Sequence, residues 1–365
     1  MPRSLIARAR SWYGRFERPL SSASLVGGFV FDAVTLTRVD QFWENIWVIA
    51  HIAIVIVCII WINAIENAGH DEANPDKLHF WLVNILQFFF GGIFSVFLVF
   101  YFRSADLMTT WPFLLILAIA FVANESLKRR YTRLAFQISL LFLSLFSFAI
   151  YIVPIIFHEI NGRIFLVSGA ASLAALWIIL AILRTVSREK FKKSGGLLAL
   201  SVAAIYFGMN LLYFYNLIPP LPLSLKDSGI FHALAVNGPG DYTVSYEDQG
   251  PWRFLALRDT VAITPGEPLY AYSAVFSPTA LNTDIIHEWQ FYDPSLRAWT
   301  TRSRVTLSVI GGRDGGYRTF SMSANIAPGL WRVNVLTPNG QIIGRMPFFV
   351  IATSSLPQLL TKTID

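Results

Sequence analysis

The chain has 365 residues, of which 54% are hydrophobic and only 14% are charged, and its formal net charge is +6. A soluble domain carries about 25% charged residues, so this composition excludes a protein that is soluble throughout. The positive charge does not indicate nucleic-acid binding, because basic residues collect on the cytoplasmic side of membrane proteins, and we expect no nucleic-acid partner.

Residues 1–20 predict a basic amphipathic segment at the N-terminus. Leu5, Trp12 and Phe16 share one face of a helical wheel, and arginines occupy the rest. Such a helix lies in the membrane interface, so we expect the lipid bilayer, and anionic lipid headgroups in particular, as its partners. A basic tail without fixed structure is the alternative. The segment lacks the apolar core and cleavage site of a signal peptide.

The stretch 22–38 decides the topology of the chain. It begins as an apolar span, but it contains Asp32 and ends at Arg38. If it crosses the membrane, the basic N-terminus and the basic loops near 128–133 and 184–193 all lie inside. This arrangement satisfies the positive-inside rule, whereas the opposite one places both basic loops outside. A re-entrant first segment is the alternative.

Several long apolar runs follow, each containing the roughly 20 residues that a helix needs to cross a bilayer. They fall at about 43–65, 79–102, 107–124, 134–157, 164–183 and 195–216. Together with the first segment they predict a membrane all-α helical bundle of about seven transmembrane helices over residues 21–217. The N-terminus is then inside and the C-terminal region outside.

Four polar residues in or near the first two spans form a candidate intramembrane polar site: Asp32, Arg38, Asp40 and His51. An ionised carboxylate is costly inside a bilayer, so we expect Asp32 to face protein and to contact His51 or a polar group on another helix. Arg38 does not share the helix face of Asp32, so an ion pair between these two is not expected. A packing and topology role for Asp32 is the alternative.

Prolines end the last span. Pro219, Pro220 and Pro222 cannot continue the helix, and they predict a stiff, extended connector over residues 218–230. An ordinary interdomain linker is the alternative. We expect a stiff connector to hold the C-terminal domain close to the membrane.

Residues 231–352 predict short strands. In "DIIHEWQFYDP", His287 and Trp289 point to one face and Glu288 to the other. Asn339-Gly340 marks a hairpin turn between two alternating segments. Frequent turns with no helical period predict an all-β immunoglobulin-like sandwich, with residues 353–365 as a tail.

A resemblance to a known family supports the domain assignment. "HEWQFYD", "GGYRTFSMSANIAPGLWRVNVLTPNGQIIG" and "FFVI" resemble DUF2914, a bacterial family of unknown function, over about residues 285–351. The candidate family-motif residues are His287, Trp289, Trp331 and Arg332. The resemblance implies an extracytoplasmic position next to membrane helices, and it implies no known activity and no catalytic residues.

No catalytic constellation accompanies these features. HExxH, GxSxG and P-loop patterns are missing from the sequence, and the single cysteine, Cys58, cannot form an intrachain disulfide. We therefore expect no catalytic residues, no metal and no cofactor. The aromatic residues of the C-terminal domain fit either its core or stacking on a sugar or a partner: Trp252, Tyr270, Tyr272 and Trp299.

The sequence thus predicts a multi-pass protein of the bacterial inner membrane, with a cytoplasmic N-terminus and a periplasmic C-terminal domain. We expect this domain to bind or scaffold an envelope component or a membrane-protein partner. The alternative is a transporter or lipid-handling protein that uses the polar residues of the first span. A membrane-embedded enzyme is a weaker alternative.

Overall fold

The computed structural model of the chain describes residues 26–36, 38–67, 77–126, 133–238, 240–248, 258–279, 281–355 and 358–364. The basic segment predicted at 1–20 lies outside the described residues. The chain divides into two compact units, one helical and one built around the C-terminal strands.

The helices match the apolar runs of the sequence. In chain order they are α1 Val26–Thr35, α2 Phe42–Asn67, α3 Lys77–Arg103, α4 Leu107–Ser126, α5 Leu134–Phe157, α6 Gly162–Val186 and α7 Arg188–Phe214. Within the described ranges, the six helices α2 to α7 are long and apolar enough to cross a membrane. The chain is therefore a multi-pass membrane protein, which confirms the prediction from composition.

The helix ends meet as alternating crossings require. Glu66, near the end of α2, accepts a 2.8 Å hydrogen bond from Nε2 of His79 near the start of α3. The same carboxylate pairs with Nζ of Lys190, near the start of α7. These three helix ends therefore lie together. The opposite end of α7 leads into the C-terminal strands.

Exposed tryptophans mark the two ends of α2. Trp43, Trp47 and Trp61 are all exposed. At a rise of about 1.5 Å per residue, Trp61 lies roughly 21–27 Å along the helix axis from the other two. This separation is close to the ~30 Å thickness of a hydrocarbon core. Because tryptophan favours the membrane interface, α2 has the pattern of a helix that crosses a bilayer.

Helix α1 is much shorter than the others. The ten residues of Val26–Thr35 rise about 15 Å, roughly half of a hydrocarbon core. The ring of Phe29 packs 6.1 Å from that of Phe121 on α4. On its other side α1 exposes apolar residues such as Val30 and Val34, as a lipid-facing helix does. Residues 22–25 lie outside the described chain, so a complete first crossing stays a prediction.

Buried amides tie the long helices together. Asn63 on α2 donates a 2.8 Å hydrogen bond to Oε1 of Gln137 on α5. Asn124 on α4 donates a 2.9 Å bond to the backbone carbonyl of Gln87 on α3. Hydrogen bonds between transmembrane helices are worth about 0.6–2 kcal/mol each. These pairs therefore fix which helix faces meet, a choice that apolar packing alone leaves open.

Within the described residues, the C-terminal unit is built from β-strands and two connections between helices. Its strands are β1 Ser224–Phe231, β2 Ala233–Gly238, β3 Asp241–Glu247, β4 Asp259–Ile263, β5 Leu269–Phe276, β6 Thr283–Asp293, β7 Ala298–Val309, β8 Tyr317–Ser323, β9 Gly329–Leu336, β10 Ile342–Ala352 and β11 Leu359–Ile364. They form a five-stranded sheet in the order β4-β10-β9-β6-β7, a sheet β1-β5-β8 and a sheet β11-β3-β2.

The main core lies between the five-stranded sheet and the sheet β1-β5-β8. Trp289 and Trp331 come from the former, and Leu269 and Val275 come from β5 in the latter. The alternation in the sequence predicted this inward face correctly, and the helical bundle followed by a β-sandwich is confirmed. As the Asn-Gly pair predicted, a tight turn joins β9 to β10, and Gly340 adopts a φ of 84° there.

A third layer adds to the predicted sandwich. Tyr272 on β5 packs with Tyr242 and Val244 on β3 and with Ile364 on β11, in a second small core. Strand β5 is thus buried on both faces. Strand β1 lies mostly in the segment predicted as a connector, and β11 lies in the predicted tail. Neither segment shows clear period-two alternation, so no strand was predicted there.

Two connections between helices belong to the C-terminal unit: Arg103–Trp111 and Val153–Phe165. From the second of these, Ile160 packs against the main β core. Its backbone carbonyl lies 3.5 Å from Nδ2 of Asn339, in the turn between β9 and β10. The α5–α6 connection is therefore part of the packing of the β domain.

The α3–α4 connection contacts the β domain through a charged residue, Asp106. The Asp106 carboxylate accepts a 2.6 Å hydrogen bond from the Thr109 hydroxyl, and its backbone carbonyl accepts from the amide of Thr110, so Asp106 caps the start of α4. Its Oδ2 also lies 3.7 Å from Nη1 of Arg345 on β10. One carboxylate thus joins a helix start to the central part of the five-stranded sheet.

Candidate functional site

The first candidate site lies among the helices, where Asp32 of α1 meets Ser95 of α3. The Ser95 hydroxyl donates a 2.5 Å hydrogen bond to Oδ2 of Asp32. Ser95 is buried and Asp32 is partly buried. A polar group on another helix therefore satisfies one carboxylate oxygen, which is what burial of a carboxylate in a membrane requires.

His51 of α2 is the second titratable group of this site. Its Nδ1 lies 2.8 Å from the backbone carbonyl of Trp47, so this nitrogen carries a proton and donates. The ring packs edge-on against Phe89 at 4.8 Å, and a Cβ placed on Gly92 would come within 3.0 Å of it. Asp32 is close enough to His51 for an electrostatic interaction between the two side chains.

The other two residues of the predicted intramembrane site form a separate pair. Arg38 donates to both carboxylate oxygens of Asp40, from Nε at 2.9 Å and from Nη2 at 2.6 Å. This bidentate pair lies in the connection before α2. The structure therefore divides the predicted group of four into Asp32 with His51 and Arg38 with Asp40. The sequence did not identify Ser95 as the partner of Asp32, because a lone serine in an apolar helix usually forms a hydrogen bond to the backbone of its own helix.

The second candidate site is in the β domain, where the family-motif residues divide between the two faces of the five-stranded sheet. His287 is fully buried in the inner face, between the hydroxyls of Ser321 at 2.9 Å and Ser273 at 2.8 Å. The indole N–H of Trp289 donates to the same Ser321 oxygen at 3.0 Å. Burial lowers the pKa of His287 to about 4, so the imidazole is neutral.

The inner-face contacts make His287 and Trp289 structural. Both ring nitrogens of His287 and the indole N–H of Trp289 have serine partners, and both side chains are fully buried. Trp331 is likewise buried, and its indole N–H donates a 2.8 Å hydrogen bond to the carbonyl of Ala327. Polar groups in a core stabilise it only when they are satisfied, as these three are.

The outer face of the same sheet carries an interleaved polar network, here named the outer-face cluster. Its members are Glu288 and Gln290 on β6, Trp299 and Arg304 on β7, Arg332 and Asn334 on β9, and Arg345 on β10. Register places Glu288 opposite both Asn334 and Arg304, and Gln290 opposite Arg332.

Glu288 is the centre of this network. It is 4% exposed, and Arg304 donates to its Oε1 from Nε at 2.8 Å and from Nη2 at 2.6 Å. Asn334 donates to Oε2 at 3.1 Å. Burial by itself raises the pKa of Glu288, but the hydrogen bonds from Arg304, Asn334 and Thr301 outweigh it and hold this pKa below its usual value.

Arg332 lies beside Glu288 without pairing to it. Its Nε donates a 2.7 Å hydrogen bond to Oε1 of Gln290, and its guanidinium lies 4.1 Å above the ring of Trp299. Burial, followed by the neighbouring charge of Arg345, lowers the pKa of Arg332 to about 10. The outer face thus combines a buried carboxylate, three guanidinium groups and an aromatic ring.

Sequence reasoning identified Arg332 but missed most of its companions. Alternation placed Glu288 and Gln290 on one face, yet only the register between strands brings Asn334, Arg304 and Arg345 to them. Of the aromatic residues with two possible roles, Tyr272 is in the core and Trp299 lies under Arg332. Trp252 is outside the described residues. Among the described residues, no group of three or more metal-ligating side chains is present.

Comparison with solved structures gives only distant similarity. A β-glucosidase from Listeria innocua with isofagomine is 13% identical, with a TM-score of 0.21, over 37% of this chain and 16% of that chain. The alkylpurine DNA glycosylase AlkC from Pseudomonas fluorescens is 9% identical, with a TM-score of 0.21, over 84% of this chain and 98% of that one. The matched region thus spans about a sixth of the glucosidase.

Curated proteins and family models give the remaining comparisons. No curated protein matches the chain. The family model described as "Protein of unknown function (DUF2914)" matches residues 282–350, from the start of β6 almost to the end of β10. This range contains His287, Trp289 and Trp331 of the inner face and every member of the outer-face cluster. The protein therefore carries a DUF2914 domain in its C-terminal region, after its membrane helices.

Proposed function

We propose that this protein is a bacterial inner-membrane protein that presents a periplasmic β-sandwich as a binding or scaffolding module. The module recognises an envelope component or a membrane-protein partner, and the outer-face cluster is its recognition surface. The helices anchor the module in the membrane. No catalytic step is assigned to either unit.

The outer-face cluster is the observation that carries this proposal. A sheet face that only meets solvent needs neither a buried carboxylate nor three arginines held by side-chain hydrogen bonds. Glu288 and Asn334 are each 4% exposed, and together they hold Arg304 and Arg345 in fixed positions. Preorganised arginine and tryptophan side chains are the residue types that dominate binding energy at interfaces.

The charge distribution supports the orientation. Lys190 and the other basic residues at the start of α7 lie at the end of the bundle where Glu66 and His79 meet. The strands follow the opposite end of α7. Because basic residues mark the cytoplasmic side, this arrangement favours a periplasmic β domain.

Site-specific photo-crosslinking in native membranes tests the recognition surface. A photoreactive residue replaces Thr306, which is exposed on β7 and lies on the same face as Glu288, and the control replaces Lys362, exposed on β11 of the third sheet. We expect one reproducible adduct from position 306 and none from position 362. Equal adducts from the two positions, or none from either, would contradict the proposal.

A second candidate function is transport or lipid handling through the intramembrane site. The hydrogen bond between Ser95 and Asp32, with His51 beside them, is the observation that favours it. An intramembrane carboxylate near a histidine is a frequent arrangement in proton-coupled proteins. If this function holds, Asp32→Asn leaves the abundance of the protein unchanged and fails to restore the phenotype of a deletion strain. Full restoration by Asp32→Asn would exclude it.

A further inference from the structure

Arg332 has hydrogen-bonding capacity that the described residues do not use. Only its Nε has a hydrogen-bond partner within the described ranges, Gln290 at 2.7 Å, and no carboxylate there lies within ion-pair distance of it. Stacking on Trp299 at 4.1 Å holds the guanidinium plane, but it leaves the in-plane N–H groups available. A fixed, partly buried cation of this kind is prepared for an oxyanion ligand.

Arg345 adds a second guanidinium beside the first. Its Nε donates a 2.8 Å hydrogen bond to Oδ1 of Asn334, and its Nη1 forms an ion pair with Oδ2 of Asp106 at 3.7 Å. Glu288 and Asp106 both attract Arg332 electrostatically, but Arg304 also pairs with Glu288, so three guanidinium groups share two carboxylates. The proximity of the two guanidinium groups is unfavourable by itself, and an anion between them removes the repulsion.

The position of Asp106 relates this arginine pair to the bilayer. Asp106 follows the last residue of α3 by three positions and directly precedes α4. The first turns of α4 expose Leu107, Met108 and Trp111, which is the composition of a membrane interface. A side chain that contacts Asp106 is therefore within reach of the lipid headgroup layer.

We propose that Arg332 and Arg345 bind the phosphate group of an anionic phospholipid of the surrounding bilayer. The planar guanidinium matches two phosphate oxygens, and the second guanidinium supplies further donors. This inference deepens the proposed function, because it names a ligand for the outer-face cluster. Its test uses purified protein, so it can fail or succeed whether or not a crosslinked partner is found.

Native mass spectrometry of the full-length protein in detergent tests the proposal. The probes are dioleoyl phosphatidylglycerol, dioleoylglycerol, which lacks the phosphate, and inorganic phosphate. We expect wild type to bind phosphatidylglycerol about tenfold more tightly than Arg332→Gln does, since a charge-assisted pair of hydrogen bonds is lost. Arg332→Lys keeps the charge but loses the planar fork, so its affinity should be intermediate.

Arg302→Gln is the matched control. Arg302 also stacks on an aromatic ring, that of Phe291, but it lies outside the outer-face cluster, and we expect the affinity of wild type. Equal phosphatidylglycerol binding by wild type and Arg332→Gln would overturn the proposal, as would equal binding of dioleoylglycerol. If inorganic phosphate stabilises wild type but not Arg332→Gln while the lipid does not bind, the ligand is a soluble phosphate and the lipid assignment is overturned.

Discussion

Ser95 on α3 donates its hydroxyl proton to the carboxylate of Asp32 on α1, over 2.5 Å. Ser95→Ala removes this donor and leaves a partly buried carboxylate with one oxygen less satisfied, which costs about 1–3 kcal/mol. We therefore expect Ser95→Ala to lower the melting temperature of the purified protein. Asp32→Asn keeps a hydrogen-bond acceptor and should be close to wild type in abundance.

Ser139→Ala on α5 is the control for this pair, because Ser139 donates only to Ala135 of its own helix. Its melting temperature should stay near that of wild type. Identical melting of the Ser95 and Ser139 variants would mean that the contact between α1 and α3 contributes nothing to stability.

Cysteine labelling checks the orientation of the chain in the membrane. Cys58 is buried, and Cys58→Ser provides a background without cysteine. Ser295→Cys, in the exposed turn between β6 and β7, should react with a membrane-impermeant maleimide in intact spheroplasts. Glu189→Cys, exposed at the start of α7, should react only after lysis. Labelling of both positions before lysis would contradict alternating crossings of α2 to α7.

Burial of His287 makes the stability of the protein depend on pH. Its pKa is about 4 in the folded chain, against about 6.5 when unfolded. Between these values the unfolded chain binds a proton that the folded chain does not, so stability is fully present above about pH 6.5 and falls as the pH drops toward 4. The loss approaches about 3 kcal/mol, at about 1.4 kcal/mol per pKa unit.

Melting temperatures at pH 7.5, 6 and 5 measure this dependence. The control is His287→Gln, which can still bond to Ser273 and Ser321 but does not titrate. Its melting temperature is expected to start lower at pH 7.5 and to fall less on acidification. A pH dependence as steep as that of wild type would place the titrating group elsewhere.

Much of the architecture could be predicted because it rests on periodicity. Long apolar runs predicted the helices α2 to α7, and period-two alternation predicted that His287 and Glu288 lie on opposite faces of a sheet. Local pattern does not carry register, so the sequence alone did not bring Arg345 and Asn334 to Glu288. The partner of Asp32 was missed for a related reason, because which helices pack together depends on the whole bundle.

The third sheet was predicted only in part, because β2 and β3 lie within the predicted strand region but β11 lies in the predicted tail. In β11, "LLTKTI" sits in an apparent tail, and only its pairing with β3 makes it a strand. Its burial is confined to Ile364, which joins Tyr242 and Tyr272 in the small core. Such a strand is specified by the surface that it covers and not by its own pattern.

Truncation tests whether this third layer belongs to the stable domain. Residues 218–365 include β1 to β11, and as a soluble fragment they should fold with a strand-dominated circular dichroism spectrum. A fragment of residues 218–357 lacks β11 and uncovers Tyr242 and the backbone edge of β3. Burial of an isoleucine side chain contributes about 1.5–3 kcal/mol, so the shorter fragment should melt at a lower temperature or aggregate through its exposed edge.

Ile364→Ala in the longer fragment keeps the backbone pairing of β11 and removes only the buried side chain, so its melting temperature should fall between those of the two fragments. If all three proteins have the same melting temperature, β11 does not contribute to the stability of the domain, which is then the two-layer sandwich alone.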